Sequence, residues 1–289
     1  MTPPAVLVYL KERKNIVKKR DTDSVRYTDW LIRCVPNLFS AFSPPESGED
    51  SKSDKAVGHH EVLIESRNHV EHPAVAKTPQ LAYLVRGYVD RLGELSSKPY
   101  VKYVSIFRNH GLDAGASLSH AHSQIIAMPM IPSIVNEELR ASREFHEAHG
   151  NCFFCNLLKR EKDGPRFIWE NQDFVAFTSW AGTNPFEFWI VPKSHQETLL
   201  NMKPKTGEGL AEALRICLGG LRSLLNDPPY NYGFHVAPTK KASKYYHWHI
   251  EVYPKLSIWA GFEKSTGTYI NVVPPEDAAQ SLKDAIAEQ

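Results

Sequence analysis

Gly115-Ala116-Ser117-Leu118-Ser119-His120-Ala121-His122-Ser123-Gln124 is the stretch from which the rest of the chain can be read, because its histidine pair recurs downstream. His247-Trp248-His249 follows at an offset of 127, with Glu251 in the place of Gln124. Alternate side chains of a strand share a face, so His120, His122 and Gln124 are expected to point at one ligand, and His247, His249 and Glu251 at another.

Outward from the pair the repeat continues. His60-Glu61-Val62-Leu63-Ile64-Glu65-Ser66-Arg67-Asn68-His69 matches Phe186-Glu187-Phe188-Trp189-Ile190-Val191-Pro192-Lys193-Ser194-His195 at an offset of 126. Further upstream, Leu38-Phe39-Ser40-Ala41-Phe42 is paired with Asp173-Phe174-Val175-Ala176-Phe177, the larger offset of 135 being absorbed by a polar insertion, Ser43 to Gly58. Such an insertion belongs in an exposed loop. Between the paired histidines each half holds one amphipathic helix. Gln80 to Leu95 carries Leu81, Leu84, Val85, Tyr88, Val89 and Leu92 at helical period, with Pro79 suited to a first turn, and Gly209 to Leu225 does the same through Leu210, Leu214, Cys217, Leu221 and Leu225. Lys102 to Arg108, Gln124 to Ala127, Phe188 to Val191 and His249 to Tyr253 are β-branched and aromatic runs of strand length. The pattern predicts an α+β fold made twice, residues 1–140 and 141–289, each half an antiparallel sheet plus a helix, packed as one pseudo-symmetric body.

The 289 residues suffice for two such halves and a sizeable core. Apolar residues make up 42% and charged residues 23%, ordinary values for a soluble globular chain. Lys and Arg number 34 against 33 acidic residues, so the net field offers nothing to a polyanion, and no nucleic-acid partner is expected. The basic stretch Lys11 to Arg20 is read as a solvated face, and Lys240, Lys241 and Lys244 as a surface loop. No apolar run is long enough for a membrane span and Met1-Thr2-Pro3-Pro4 is no signal peptide, so a cytoplasmic location without membrane contact is expected.

The glycine-rich turn Gly111 to Gly115, followed by the small residues Ala116 and Ser117, leaves backbone N–H groups free to meet an anion such as phosphate. A neutral imidazole beside it can attack phosphorus, provided its other nitrogen is held as a donor. Gln124 offers an amide N–H to a phosphoryl oxygen. Of the four cysteines, Cys152 and Cys155 stand at the spacing of two ligands on one tetrahedral metal, and in a reducing compartment a metal is favoured over a disulfide. His195 and His247 are the matching ligands, making a closed, structural Zn²⁺ site. The first half has His69 and His120 in the corresponding places with no cysteine pair before them, a residual site at most. Cys34 and Cys217 read as buried bystanders.

These motifs resemble those of the galactose-1-phosphate uridylyltransferase branch of the histidine-triad superfamily over essentially the whole chain, most specifically in His120-Ala121-His122-Ser123-Gln124 and His247-Trp248-His249. Gly115 to Gln124, Leu225-Asn226-Asp227-Pro228-Pro229-Tyr230-Asn231-Tyr232 and Gly261 to Asn271 are also similar to the related ADP-glucose phosphorylases. The resemblance implies two histidine-triad-like halves, a homodimer, and a ping-pong reaction in which His122 carries the nucleotidyl group and Gln124 supports its phosphate. It places Asn109 and Ser117 on the phosphates of a nucleotide sugar, Asn37 in the nucleotide pocket, and Glu263 on the hexose, often from the partner subunit. The acceptor would be a sugar 1-phosphate or, in the ADP-glucose phosphorylase reading, inorganic phosphate; a nucleotide-binding protein without turnover is the third reading. Three departures stand out. The relatives' N-terminal C-x-x-C is missing, and since in them it shortly precedes a stretch resembling Thr2-Pro3-Pro4, an upstream segment is expected in the gene. Leu38 follows Asn37 where an acidic residue is common, and Ser257-Ile258-Trp259 lacks the expected basic residue.

Overall fold

A computed structural model describes residues 6–12, 15–21, 27–45, 56–238 and 244–289. In chain order the elements are β1 (Val6–Glu12), β2 (Asn15–Asp21), β3 (Ile32–Pro36), β4 (His59–Ile64), α1 (Thr78–Ser96), β5 (Tyr103–His110), β6 (His122–Met128), α2 (Ser133–His149) and α3 (Phe153–Glu161). They continue with β7 (Phe167–Glu170), β8 (Phe174–Thr178), β9 (Phe188–Pro192), α4 (Pro204–Leu225), β10 (Tyr230–His235), β11 (His249–Pro254), α5 (Gly261–Thr266) and α6 (Pro275–Ala287). The strands form one antiparallel sheet of eleven in the order β2-β1-β3-β4-β6-β5-β10-β11-β9-β8-β7.

The expected duplication is visible in that order. Reading outward from the central β5/β10 pair, β5-β6-β4-β3 on one side repeats β10-β11-β9-β8 on the other. Where the halves meet, Asn109 faces Asn231 and Arg108 faces Tyr232. Residue 140, the expected boundary, lies inside α2, so a helix rather than a loop joins the halves. The two main helices match their predicted faces: α1 buries Leu81, Leu84, Val85, Tyr88 and Leu92, and α4 buries Leu210, Leu214, Cys217 and Leu221 in the same core. Burying each such side chain contributes about 1.5–3 kcal/mol, so these two stripes hold the helices to the sheet. Each opens with a proline in its first turn, where the missing N–H costs nothing.

One match is corrected. Leu38-Phe42 is not the counterpart of Asp173-Phe177 and is not a strand. The strand that pairs β4 as β8 pairs β9 is β3, with Cys34 opposite Leu63 and Val35 opposite Val62. Asn37 ends it: its Oδ1 accepts the Phe39 N–H at 2.9 Å, an Asx turn that leaves Leu38 and Phe39 87% and 86% exposed. An apolar pair in a turn imitates a strand locally, and only strand pairing separates the two. Residues 46–55 of the expected insertion, Arg13 and Lys14 of the basic stretch, Lys240 and Lys241, and Thr2-Pro3-Pro4 lie outside the described residues. Lys18, within the basic stretch, forms an ion pair with Glu94 on α1.

Candidate functional site

β6 sits between β4 and β5, with Ile64 opposite His122 and both Val62 and Phe107 opposite Gln124. His120 precedes the strand. Its Nε2 lies 2.8 Å from the Ser66 carbonyl oxygen, which holds the segment before β6 against the chain leaving β4. His122 opens the strand, and its Nδ1 lies 2.8 Å from the His120 carbonyl oxygen. A carbonyl only accepts, so Nδ1 carries the proton and Nε2 keeps its lone pair. Among the described residues Nε2 has no hydrogen-bond partner, and His122 lines a cleft of about 540 Å³ together with Asn109, Ser117, Ser119, His120 and Gly111.

The cleft wall is built by backbone constraint. Gly111 and Gly115 have φ of +81° and +86°, a region costly for side-chain-bearing residues, and a Cβ on Gly111 would meet Pro229 at 2.9 Å. Asn231 Nδ2 donates to Asn109 Oδ1 at 2.8 Å and to the Ala114 carbonyl at 2.7 Å, tying the turn to β10 of the other half. Beneath β6, Arg108 and Glu65, both side chains 2% exposed, form an ion pair at 3.0 Å, and Glu65 also accepts from Ser123 Oγ. Ser123, the residue after His122, is thereby held by a buried ion pair.

Gln124 is held by a residue the motif did not reveal. The Ala41 N–H donates to His60 Nδ1 at 3.1 Å, so His60 Nε2 carries the proton and donates it to Gln124 Oε1 at 2.8 Å. The Gln124 amide N–H₂ is thus left for a ligand. Asn37 Nδ2, itself a donor, stands 3.0 Å from the same protonated His60 nitrogen, which places Asn37 beside the group without a hydrogen bond to it. His60 lies on β4, far from the histidine motif in sequence, and the signal available for it was its position in the repeat. Glu263 is not brought to the cleft within one chain; it caps α5, its Oε2 accepting the Ala260 N–H at 2.9 Å.

The duplicate shows what a blocked version looks like. His249 Nδ1 lies 3.1 Å from the His247 carbonyl oxygen, as in the first half, but its Nε2 is 3.1 Å from Glu251 Oε1 and the ring is fully buried. Both nitrogens are used, so no lone pair faces solvent. Glu251 and Glu138 flank His235, whose Nδ1 lies 2.7 Å from Glu138, and these four groups together could also hold a cation. Burial alone would lower His235, but the Glu138 hydrogen bond and the Glu251 charge outweigh it and raise it to about 9.

Cys152, Cys155, His195 and His247 converge as expected. Cys155 Sγ lies 3.5 Å from His195 Nδ1 and 3.6 Å from His247 Nδ1, and Cys152 Sγ 4.0 Å from His247 Nδ1. His247 Nε2 lies 2.9 Å from the Pro192 carbonyl, which assigns its proton and leaves Nδ1 as the ligand atom. The hydrogen bond between the two cysteines holds the Cys152 thiol below the usual thiol range, and Cys155 is held above it in return. Two sulfurs and two imidazole nitrogens in this arrangement fit a four-coordinate zinc. In the first half His69 and His120 repeat the geometry, ring centroids 5.0 Å apart against 5.2 Å for His195 and His247, with Nδ1 atoms 3.2 Å apart. Among the described residues no third ligand group completes that pair. Cys34 is buried against Glu61, and Cys217 is buried in α4.

A family model described as a domain of unknown function, DUF4921, matches residues 46–289. An ADP-glucose phosphorylase of Arabidopsis thaliana is 33% identical over 89% of this chain and 75% of its own length. A galactose-1-phosphate uridylyltransferase of Thermotoga maritima is 31% identical over 82% and 77%. Among solved structures, an Arabidopsis thaliana ADP-glucose phosphorylase with bound ADP-glucose has a TM-score of 0.83 at 32% identity, covering 88% of this chain and 81% of that one. A structure of a uridylyltransferase has a TM-score of 0.83 at 30% identity, covering 90% and 86%.

Proposed function

The chain belongs to the family of galactose-1-phosphate uridylyltransferases and ADP-glucose phosphorylases and is a nucleotidyltransferase, and we propose that it works through His122, which takes a nucleoside monophosphate from a nucleotide sugar. One observation carries this reading: His122 has its Nδ1 proton on the His120 carbonyl and its Nε2 unengaged at the cleft. Nε2 attacks the α-phosphorus; the N–P bond forms as the bond from phosphorus to the sugar 1-phosphate oxygen breaks, and the sugar 1-phosphate leaves. A phosphate oxygen of the acceptor then attacks the same phosphorus and the N–P bond breaks, so two in-line steps conserve the bond energy. The positive charge on the nucleotidylated imidazole is shared with the His120 carbonyl through Nδ1–H. The Gln124 amide supports a non-bridging oxygen, and Asn109, Ser117 and the Gly111–Gly115 turn hold the remaining phosphate. His120 acts as a positioning residue, Asn37 serves the nucleotide pocket, and Glu263 serves the hexose from a second subunit.

The donor is UDP-glucose and the acceptor a hexose 1-phosphate such as galactose 1-phosphate. A second reading, adenylyl transfer from ADP-glucose to phosphate, is favoured by the 33% identity to the Arabidopsis enzyme and by Leu38 where uridylyltransferases commonly carry an acid. Zinc on Cys152, Cys155, His195 and His247 is structural, stitching α3 to the ends of β9 and β11; His69 and His120 are a residual site that no third ligand group completes among the described residues. The working unit is a homodimer, for which the exposed apolar side chains Leu38, Phe39 and Ile258 supply contact surface. No helix among the described residues is long and apolar enough to cross a membrane, and the reading places the enzyme in the cytoplasm. Incubation with nucleotide sugar labelled in its α-phosphate tests the proposal. The true donor leaves an acid-labile adduct on the wild-type protein and none on His122→Ala; labelling of His122→Ala would refute it.

A further inference from the structure

A third histidine group lies beside the cleft, outside both the histidine motif and the thiolate site. His72 follows β4, His110 ends β5, and Asp227 lies in the turn between α4 and β10. Their ligand atoms all fall within 4.8 Å of one another. His110 Nε2 is 3.1 Å from Asp227 Oδ1. The His72 ring lies on one side of His110 with centroids 4.7 Å apart, and His110 stacks on Tyr230 at 4.8 Å. His72 Nδ1 is buried and has no hydrogen-bond partner, an arrangement that leaves a buried polar atom unpaid unless something binds it. Asn226 and Asp227 both take positive φ, 55° and 59°, in the turn that carries the carboxylate. His110 and Asp227 line the same cleft as His122, Asn109 and Ser117.

We propose that His72, His110 and Asp227 form a divalent-metal site in the cleft wall, taking a zinc-like transition cation and leaving coordination positions open toward the cleft. Two imidazole nitrogens and one carboxylate oxygen are a ligand set suited to such an ion, and three protein ligands leave room for an exogenous one, unlike the closed thiolate site. The cation takes the place of the proton between His110 Nε2 and Asp227 Oδ1; that proton is carried on Nδ1 in the other tautomer of the neutral ring, so His110 ligates as a neutral imidazole with no net proton released. Burial and Arg108 hold both histidines below their ordinary range, and His110 adds to the effect on His72, which is held down to about 4; this keeps the lone pairs available. The open positions suit a phosphate oxygen; that part rests on the nucleotidyl-transfer reading, whereas cation binding does not.

The test is a Co²⁺ titration of the full chain followed by visible absorption. Besides the equivalent whose sulfur-to-cobalt charge transfer marks the thiolate site, the wild type should take up a further equivalent with d–d bands and no such charge transfer, and inorganic phosphate should shift those bands. His72→Ala and Asp227→Asn should each lose that equivalent; asparagine accepts the left-handed backbone at 227, and an intact thiolate-site signal certifies that each variant is folded. Uptake and bands unchanged in both variants, or absent from the wild type, would overturn the site, and bands unmoved by phosphate would overturn its open positions. Failure of His122 to label would sink the nucleotidyl-transfer mechanism while leaving the cobalt count as it stands.

Discussion

His60→Ala is the sharpest test of how the proposed chemistry is arranged, because His60 reaches the reaction only through Gln124. Its Nδ1 is fixed by the Ala41 amide at 3.1 Å and its Nε2–H holds Gln124 Oε1 at 2.8 Å. Removing a preorganised donor from a developing phosphoryl charge costs about 10²–10³-fold in rate, and this is the loss expected for Gln124→Ala. His60→Ala leaves the amide present but free to turn. The loss is then that of one orienting hydrogen bond, about 1 kcal/mol or about fivefold. Since the two residues act in series, the double variant should be no slower than Gln124→Ala alone. The assay is single-turnover labelling of His122 with enzyme in excess over nucleotide sugar, run below the melting temperature of each variant. If the two single losses multiply in the double variant, or if His60→Ala labels at the wild-type rate, the positioning argument fails.

Gly111→Ala should cost about 1–3 kcal/mol in denaturant unfolding and raise KM, since φ of +81° and a Cβ 2.9 Å from Pro229 force the phosphate turn to move. Cys155→Ser should remove zinc detectable by elemental analysis and lower the melting temperature, whereas His69→Ala should leave the zinc content unchanged; equal zinc loss in the two would contradict the assignment. His235 is raised from 6.5 to about 9, so its contribution is complete below pH 6.5 and is lost as pH rises through 9. The wild type should therefore lose at most about 3 kcal/mol of stability between those values, and His235→Gln should show a flat profile there. The opposite limb follows from Glu251, held at about 2, burial being outweighed by His249 and His235. Its contribution is complete above pH 4.5 and is lost as pH falls toward 2, an expectation checked by acid titration of unfolding in Glu251→Gln.

Sequence alone determined the features that depend on local pattern. The 127-residue recurrence of the histidine pair, the helical stripes of α1 and α4 and the Cys152–Cys155 spacing all concern residues close in the chain or repeated along it, so the twofold α+β design and the zinc-like ligand set were legible. Strand identity upstream was not: Leu38-Phe42 has strand-like composition, and only pairing with β4 shows that Ile32–Pro36 is the strand. Tertiary structure likewise decided which of two near-identical histidines is open to react. His122 and His249 share a motif and a carbonyl partner, but Glu251 occupies the second Nε2 while His60 turns Gln124 Oε1 away from the first. That difference arises from side chains far apart in sequence meeting across strands. For the same reason the group of His72, His110 and Asp227, drawn from three separate segments, has no signature along the chain.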